Sequence, residues 1–267
     1  MQIDLAIPTK NRHDSLPRTL RLADATGAPV LICDQSVQQF ARPGTLHRAN
    51  LHRPGLNGLP AARNALLAAS TADVVVFLDD DTDLAADFVV RLRECIARWP
   101  HAAGWGPVLE VRPRAVRRIH RMIHLGCLHD PRRLTGARID QATSALFGAC
   151  FAVRRTEALA CGFDARRPGY ALGEDLDFCK RLAQGREFRF CRDLRAIHRC
   201  YGANRADPLK RGMSKGGFLV WLARRHGGRN PCTIVHLLLA LVVAALGGGR
   251  ERASAAGVLA GIRHWLW

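Results

Sequence analysis

Short apolar runs alternate with segments of helical spacing along roughly the first 200 residues of the chain. The runs at 3–7, 30–33 and 74–78 are rich in branched side chains, which is typical of strands buried on both faces. Between them, the apolar residues of 15–25 and 59–69 recur on one side of a helix. Strand, helix and strand in close succession form a βαβ unit, so the pattern predicts an α/β protein with a mostly parallel central sheet.

The same pattern predicts further elements up to about residue 205. A short strand is expected near 46–51, within a loop-rich stretch. After the run at 74–78, the predicted elements are a helix at about 84–99, strands within 105–111 and 142–153, a helix at about 174–183, and short strands around 188–190 and 196–198.

The run at 74–78 ends in three consecutive carboxylates, Asp79, Asp80 and Asp81. In an open α/β sheet the ligand crevice lies outside the carboxyl ends of the strands. In an extended segment Asp79 and Asp81 point to one side and Asp80 to the other. Two converging carboxylates suit a hard divalent cation such as Mg²⁺ or Mn²⁺, so we expect a metal site here. The alternative is an acidic turn that caps the following helix.

The charge of the chain is strongly positive. It carries 40 Lys and Arg against 23 Asp and Glu, a net charge of +17, which favours an anionic partner. Nucleic acid, an anionic membrane surface and phosphorylated small molecules all fit this charge. Aromatic residues make up only 6% of the chain and are not interleaved with basic ones, so we expect no nucleic-acid partner.

The cysteines and the amino terminus suggest a cellular location. Nine cysteines are scattered singly without a CxxC pair, which favours reduced thiols in the cytosol. The first residues lack the basic start and the long apolar core of a secretion signal. We therefore expect a cytoplasmic protein.

Two segments outside the strand and helix pattern suggest contact with a membrane. The Arg-rich stretch 112–138 has the spacing of a basic amphipathic helix, which fits a solvated surface, or contact with anionic lipid or a phosphorylated acceptor. The apolar stretch 232–246 is bracketed by arginines and is shorter than the roughly 20 residues of a membrane span. It fits a helix at the membrane interface or one packed on the protein, and Trp265 and Trp267 favour the headgroup zone. We expect peripheral attachment at the cytoplasmic face.

Taken in order, six short motifs resemble the family 2 glycosyltransferases, and the resemblance covers roughly residues 2–205. The motifs are Ile7–Arg12, Cys33–Ser36, Ala62–Asn64, Phe77–Asp81, Gly173–Asp177 and His198. The resemblance implies the GT-A fold: a mostly parallel central sheet with helices on both faces. Residues 1–205 are then the catalytic domain, with 112–138 as an insert and 206–267 as a helical C-terminal appendage.

The resemblance also implies a role for each matching residue. Asp34 would read the nucleotide base, while Thr9, Arg12 and Arg63 would border the nucleotide and its diphosphate. Asp81 would bind the metal, with Asp79 holding ribose or metal-bound water and His198 near the metal or the diphosphate. The implied donor-binding residues are Thr9, Arg12, Asp34, Arg63, Asp79 and Asp80, and the implied metal-binding residues are Asp81, Asp79 and His198.

The Glu174-Asp175 pair resembles the acidic motif whose Asp removes a proton from the acceptor hydroxyl in inverting members. By this resemblance Asp175 is the general base and Glu174 its catalytic neighbour, acting on a glycan or lipid-linked acceptor. Acids in the first turn of a helix are also favoured by the helix dipole alone. After Asp34, the pair Gln35-Ser36 stands in place of the commoner acidic-glycine turn, which leaves the contact to the nucleotide base undefined.

Three other functions fit parts of the sequence. An aspartyl-phosphatase of the haloacid dehalogenase type also sets two Asp residues after an apolar strand, but it needs Thr or Val where Asp83 stands. A sugar-nucleotidyltransferase needs a Gly-rich phosphate loop after the first strand, which this chain lacks. A non-catalytic binder of anionic partners would explain the positive charge alone.

Overall fold

A computed structural model describes residues 1–12, 14–40, 48–107, 109–111, 140–166, 171, 173–199, 207–225, 238, 242, 246 and 248–266. The Arg-rich stretch 112–138, most of 232–246, and Trp267 lie outside the described residues. The chain divides into two compact units: the first is Met1–Ala115, Arg132–Gly169 and Glu174–Asn204, and the second is Val116–Pro131, Tyr170–Gly173 and Arg205–Trp267.

The first unit contains strands and helices in alternation. Its strands are β1 (Ile3–Thr9), β2 (Val30–Asp34), β3 (Arg48–His52), β4 (Val74–Leu78), β5 (Thr82–Leu84), β6 (Gly104–Pro107), β7 (Glu110–Val111), β8 (Gln141–Thr143), β9 (Cys150–Arg154), β10 (Phe188–Cys191) and β11 (Ala196–His198). Its described helices are α1 (Leu16–Asp24), α2 (Leu59–Ala69), α3 (Phe88–Arg98), α4 (Arg155–Cys161) and α5 (Glu174–Ala183).

The strands form one large sheet and one small sheet. The large sheet has eight strands in the order β3-β2-β1-β4-β9-β6-β10-β8. The strands β3, β2, β1 and β4 are parallel, as are β6 and β10, whereas β9 and β8 run antiparallel to their neighbours. The small sheet has the order β5-β11-β7. The predicted mostly parallel sheet is confirmed.

Helices cover both faces of the large sheet. On β1, Ile3, Leu5 and Ile7 share one face, and they belong to one core cluster with residues of α1 and α3. On the other face, Phe77 of β4 lies opposite Phe151 of β9 and packs on its ring, and Phe151 packs in turn with Phe178 of α5. All five residues of β4 are buried, as its uninterrupted apolar run predicts.

Four local predictions differ from the structure. Strand β1 continues through Pro8 to Thr9, because its ladder with β4 ends at Ala6 and Pro8 pairs only with Cys33 of β2. Residues 82–84 form a strand instead of starting a helix, and the helix begins at Phe88. The stretches 105–111 and 142–153 each divide into two strands, and the sequence reading missed α4.

A disulfide joins Cys95 of α3 to Cys191 of β10, whose Cα atoms lie 6.5 Å apart. This corrects the expectation that all nine thiols are reduced. The pairing could not be read from the sequence, because the partners stand 96 residues apart and meet only once α3 packs against the sheet. The structure describes four other cysteines as thiols: Cys33, Cys150, Cys161 and Cys179.

The second unit contains the helices α6 (Pro208–Arg225) and α7 (Gly249–Leu266), which pack closely on each other. Glycines let the two backbones touch: a Cβ at Gly216 would lie 2.1 Å from the Val258 carbonyl oxygen, and one at Gly257 would lie 2.2 Å from that of Leu209. Small residues spaced in this way allow close helix contact. In the part of the chain that the structure describes, no helix is both long and apolar enough to cross a membrane.

Candidate active site

Two carboxylates and one imidazole meet just beyond the carboxyl end of β4. Asp79, Asp81 and His198 each offer one ligand atom, and these atoms lie within 4.8 Å of one another. The convergence arises from a tight turn and not from an extended segment. The Thr82 N–H donates to the Asp79 carbonyl at 3.1 Å, which closes this turn between β4 and β5.

Strand β11 brings His198 to this turn. It pairs antiparallel with β5, so that His198 lies opposite Thr82. The next backbone N–H, that of Arg199, donates to the Asp81 carbonyl at 2.9 Å. The imidazole Nε2 of His198 lies 3.0 Å from Oδ1 of Asp81 and 4.0 Å from Oδ2 of Asp79. The three side chains thus form one compact cluster.

This donor set fits a divalent cation. Carboxylate oxygens are preferred by Mg²⁺ and Mn²⁺, and an imidazole nitrogen suits first-row transition metals. Burial raises the pKa of Asp79, whereas the charges of Arg63 and His198 act in the opposite direction. A bound cation would favour the ionised carboxylate. Within the described ranges, no second group of His, Cys, Asp and Glu has this arrangement.

Asp80 points away from the metal cluster, as the sequence predicted. Its carboxylate accepts hydrogen bonds from Oγ1 of Thr9 at 2.7 Å and from Nε of Arg12 at 3.2 Å. Arg12 also donates through Nη2 to Asp81 at 3.1 Å. Burial raises the pKa of Asp80 to about 7, while Thr9 and Arg12 oppose that shift. Thr9 and Arg12 therefore border the acidic turn, and the roles predicted for them toward a diphosphate remain predictions.

Arg63 of α2 is fully enclosed, with 0% of its side chain exposed. Its Nη1 contacts Oε1 of Glu174, and its Nη2 lies 3.3 Å from Oδ1 of Asp79 and 2.7 Å from the Gly148 carbonyl oxygen. A guanidinium in this position faces carboxylates inside the protein and not solvent. The predicted place of Arg63 beside the nucleotide and its diphosphate stays a prediction.

The acidic pair Glu174-Asp175 opens α5, next to the metal cluster. Glu174 is 8% exposed, and burial raises its pKa to about 7, with Arg63 acting against the shift. Asp175 accepts hydrogen bonds from the Gly148 N–H at 2.8 Å and from the Leu176 N–H at 2.9 Å. Because Arg63 contacts both Glu174 and Asp79, the two acidic motifs lie on either side of one guanidinium.

Asp34 ends β2 and is fully buried. Its Oδ1 accepts a hydrogen bond from the Ser36 N–H at 2.9 Å, and its Oδ2 accepts one from the Phe40 N–H at 2.8 Å. The carboxylate therefore shapes the loop that follows β2. Its predicted role in base recognition stays a prediction.

Sequence reasoning missed two features of this site. Asp83 accepts hydrogen bonds from Arg18 and Arg199, which ties β5 to α1 and to the residue after His198. Gly148 contacts Arg63 through its carbonyl and Asp175 through its N–H. The position of Asp83, two residues after the acidic run, was a signal that could have identified it. No local pattern distinguishes Gly148, because its partners come from distant segments.

Comparison with known proteins gives one matching family and two similar solved structures. A family model described as Glycosyl transferase family 2 matches residues 4–163, which is more than half of the chain. No curated protein sequence matches the chain significantly. The matched range includes the acidic turn of β4 and stops before α5 and β11.

Two solved structures are similar to the whole chain. One is the mannosyltransferase PcManGT from Pyrobaculum calidifontis in complex with GDP-Man and Mn²⁺, with a TM-score of 0.64 and 16% identity, covering 100% of this chain and 87% of that one. The other is GalNAc-T7 with UDP, GalNAc and Mn²⁺, with a TM-score of 0.63 and 12% identity, covering 100% of this chain and 56% of that one. The likeness confirms the GT-A fold predicted from the sequence.

Proposed function

This chain belongs to glycosyl transferase family 2, and we propose that it uses a divalent cation to move a sugar from a nucleotide-sugar donor to an acceptor hydroxyl. The observation that carries the proposal is the cluster of Asp79, Asp81 and His198 at the carboxyl end of β4. Ligands bind at this edge in open α/β sheets. The family membership sets aside the phosphatase and the non-catalytic binder as alternatives.

Asp81, Asp79 and His198 are the residues that would hold Mn²⁺ or Mg²⁺. When bound, the cation neutralises negative charge on the departing nucleoside diphosphate. The two similar structures contain Mn²⁺ together with GDP-Man or UDP, which supports a nucleotide-sugar donor for this chain. Thr9 and Arg12 support the acidic turn from the opposite side through Asp80.

Asp175 is the proposed general base, with transfer proceeding by inversion. Its carboxylate is oriented by two backbone N–H groups, those of Gly148 and Leu176. An acceptor hydroxyl placed between Asp175 and the donor would lose its proton to this carboxylate as the sugar is attacked. Glu174, the proposed catalytic neighbour of Asp175, is buried and pairs with Arg63.

The proposed acceptor is a glycan or a lipid-linked glycan at the cytoplasmic face of a membrane. Residues 1–205 would carry the catalysis, and 206–267 would attach to the anionic surface. Leu238, Val242 and Leu246 support this attachment, because they are helical, spaced by four residues, and more than half exposed at 55%, 51% and 81%. The net charge of +17 complements anionic lipid.

A thermal-shift panel tests the proposed activity and identifies the donor. Sugars linked to UDP, GDP, dTDP and CMP are each added with Mn²⁺ and with EDTA. A ligand at a hundredfold its dissociation constant stabilises the fold by about 2.7 kcal/mol. The proposal expects one nucleotide class to raise the melting temperature only with Mn²⁺. If none of the four does so, the proposed function is wrong.

A further inference from the structure

Arg63 is a buried cation with aromatic walls. Its guanidinium carbon lies 5.5 to 5.6 Å from the ring centroids of Phe77, Phe151 and Phe163. Burial alone would lower the pKa of Arg63, but the carboxylates of Glu174, Asp79 and Asp175 raise it. A guanidinium in such surroundings stays charged. Its stability inside the fold depends on those carboxylates, because removing one of them would leave a buried charge uncompensated.

The segment before β9 connects this cation to both acidic motifs. The Gly148 carbonyl accepts a hydrogen bond from Arg63, and the Gly148 N–H donates to Oδ2 of Asp175 at 2.8 Å. The neighbouring Ala149 carbonyl accepts the backbone N–H of Asp79 at 3.0 Å. Gly148 and Ala149 together therefore contact Asp79 of the metal cluster, the buried cation Arg63 and the proposed base Asp175.

A side chain at Gly148 would lie unusually close to Asp175. An added Cβ would lie 3.2 Å from both the Cβ and Oδ2 of Asp175, which is closer than ordinary van der Waals contact. A methyl group at this position would push the Asp175 carboxylate away by a few tenths of an ångström. The absence of a side chain at Gly148 thus sets where the carboxylate lies.

We infer that Arg63 and Gly148 are positioning residues that fix the distance between the metal-binding carboxylate Asp79 and the base Asp175. This inference rests on the proposed function of the site. Nη2 of Arg63 donates to Asp79 and to the Gly148 carbonyl, and the Gly148 N–H donates to Asp175. Arg63 acts from inside the protein, because none of its side chain is exposed.

The test combines two substitutions and a matched control. Arg63→Lys keeps the charge but cannot contact Glu174, Asp79 and Gly148 at once. Gly148→Ala leaves Arg63 intact and displaces only Asp175. Arg181→Lys is the control, because Arg181 also pairs with a carboxylate of α5, Asp177, and donates to two backbone carbonyls away from the metal cluster. Each variant is purified as the full chain, and its folded fraction is measured by urea unfolding.

Binding of Mn²⁺ alone, donor affinity and kcat are then measured for each variant. We expect Arg63→Lys to weaken Mn²⁺ binding by about tenfold and to lower kcat by about a hundredfold. Gly148→Ala is expected to lower kcat by a similar factor with Mn²⁺ and donor affinities unchanged. The two effects on kcat should not multiply in the double variant, because both act on Asp175. Arg181→Lys should lose stability but keep kcat.

Several outcomes overturn the inference. If Gly148→Ala keeps the wild-type kcat, or if the two effects multiply fully, Arg63 does not act on Asp175 through Gly148. If Arg63→Lys does not fold, the Gly148→Ala result decides alone. A wild-type protein that neither binds Mn²⁺ nor releases a nucleoside diphosphate contradicts the proposed function itself. An active wild type with normal kcat in both variants contradicts only this inference.

Discussion

Two nitrogens of the Arg199 guanidinium contact Oδ2 of Asp83, Nε at 2.7 Å and Nη2 at 2.6 Å. Arg18 contacts the same carboxylate from α1, with Nη2 at 2.9 Å. Arg199 directly follows His198, so this interaction fixes the end of β11 beside the acidic turn. Both arginines lower the pKa of Asp83, although burial acts against them. Asp83 therefore supports the imidazole of the metal cluster without belonging to it.

Asp83→Asn should weaken Mn²⁺ binding by about 10- to 100-fold, because residues behind metal ligands typically contribute this much. The amide loses the charge that attracts both arginines, and His198 loses its fixed position. Titration calorimetry with Mn²⁺ measures the change. Asp193→Asn is the control, since Asp193 pairs with Arg98 and Arg192 on the exposed surface. Equal Mn²⁺ affinity in wild type and Asp83→Asn would show that Asp83 has no part in the site.

Asp175→Asn should lower kcat by about a hundred- to ten-thousandfold, because the amide keeps the size of the side chain but cannot take a proton. The donor is held by other residues, so its dissociation constant should stay unchanged. Glu174→Gln should have a milder effect. Steady-state kinetics and donor titration on the same samples separate the two quantities. Normal turnover in Asp175→Asn with loss in Glu174→Gln would exchange the two roles.

The raised pKa of Glu174 predicts a pH dependence of stability. Its pKa is about 7 in the fold against 4.5 in a free side chain, so the native state binds the proton more tightly than the unfolded state. The contribution of this group is present below the unfolded pKa and is lost as the pH rises through the folded pKa. The contribution of Glu174 to the free energy of unfolding is at most about 3 kcal/mol.

Urea unfolding in EDTA, from about pH 5 to about pH 8, measures this dependence. The free energy of unfolding of the wild type should fall over that range, and Glu174→Gln should make the curve flatter. Because Asp80 has a pKa raised in the same direction, part of the slope should remain in the variant. Parallel curves for the two proteins would mean that Glu174 does not titrate in this window.

Attachment to anionic lipid should depend on the exposed apolar face of the second unit. Replacing Leu238, Val242 and Leu246 by Ser removes apolar surface that would enter the headgroup region. Flotation with anionic liposomes, compared with neutral ones, measures the attachment. Val90→Ser is the control, because Val90 is 54% exposed on the first unit. If wild type and the triple variant float equally, this face does not contact lipid.

The sequence predicts the part of the site that comes from one contiguous segment. Five buried apolar residues followed by three acids indicate both the strand β4 and the carboxylates at its end. The start of α5 at Glu174 agrees with the predicted helix. In both cases the local pattern and the tertiary structure lead to the same element.

The rest of the site depends on contacts between distant segments. β5 is only three residues long, too short for a periodic signal, and it exists because β11 pairs with it. The enclosure of Arg63 requires rings from β4, β9 and the loop after α4. The resemblance implied a place for Arg63 beside a diphosphate, and no local pattern indicates that the fold encloses its side chain.

Calorimetric titration of the matching nucleoside diphosphate into wild type and Asp81→Ala, each with Mn²⁺ and with EDTA, tests the central claim most directly. Asp81 contacts His198 within the metal cluster, so its loss removes a ligand without touching Asp175. We expect binding by the wild type with Mn²⁺ and at least about a tenfold loss in the other three conditions. Undiminished nucleotide binding by Asp81→Ala in Mn²⁺, or by the wild type in EDTA, would contradict a metal-dependent glycosyltransferase site at Asp79, Asp81 and His198.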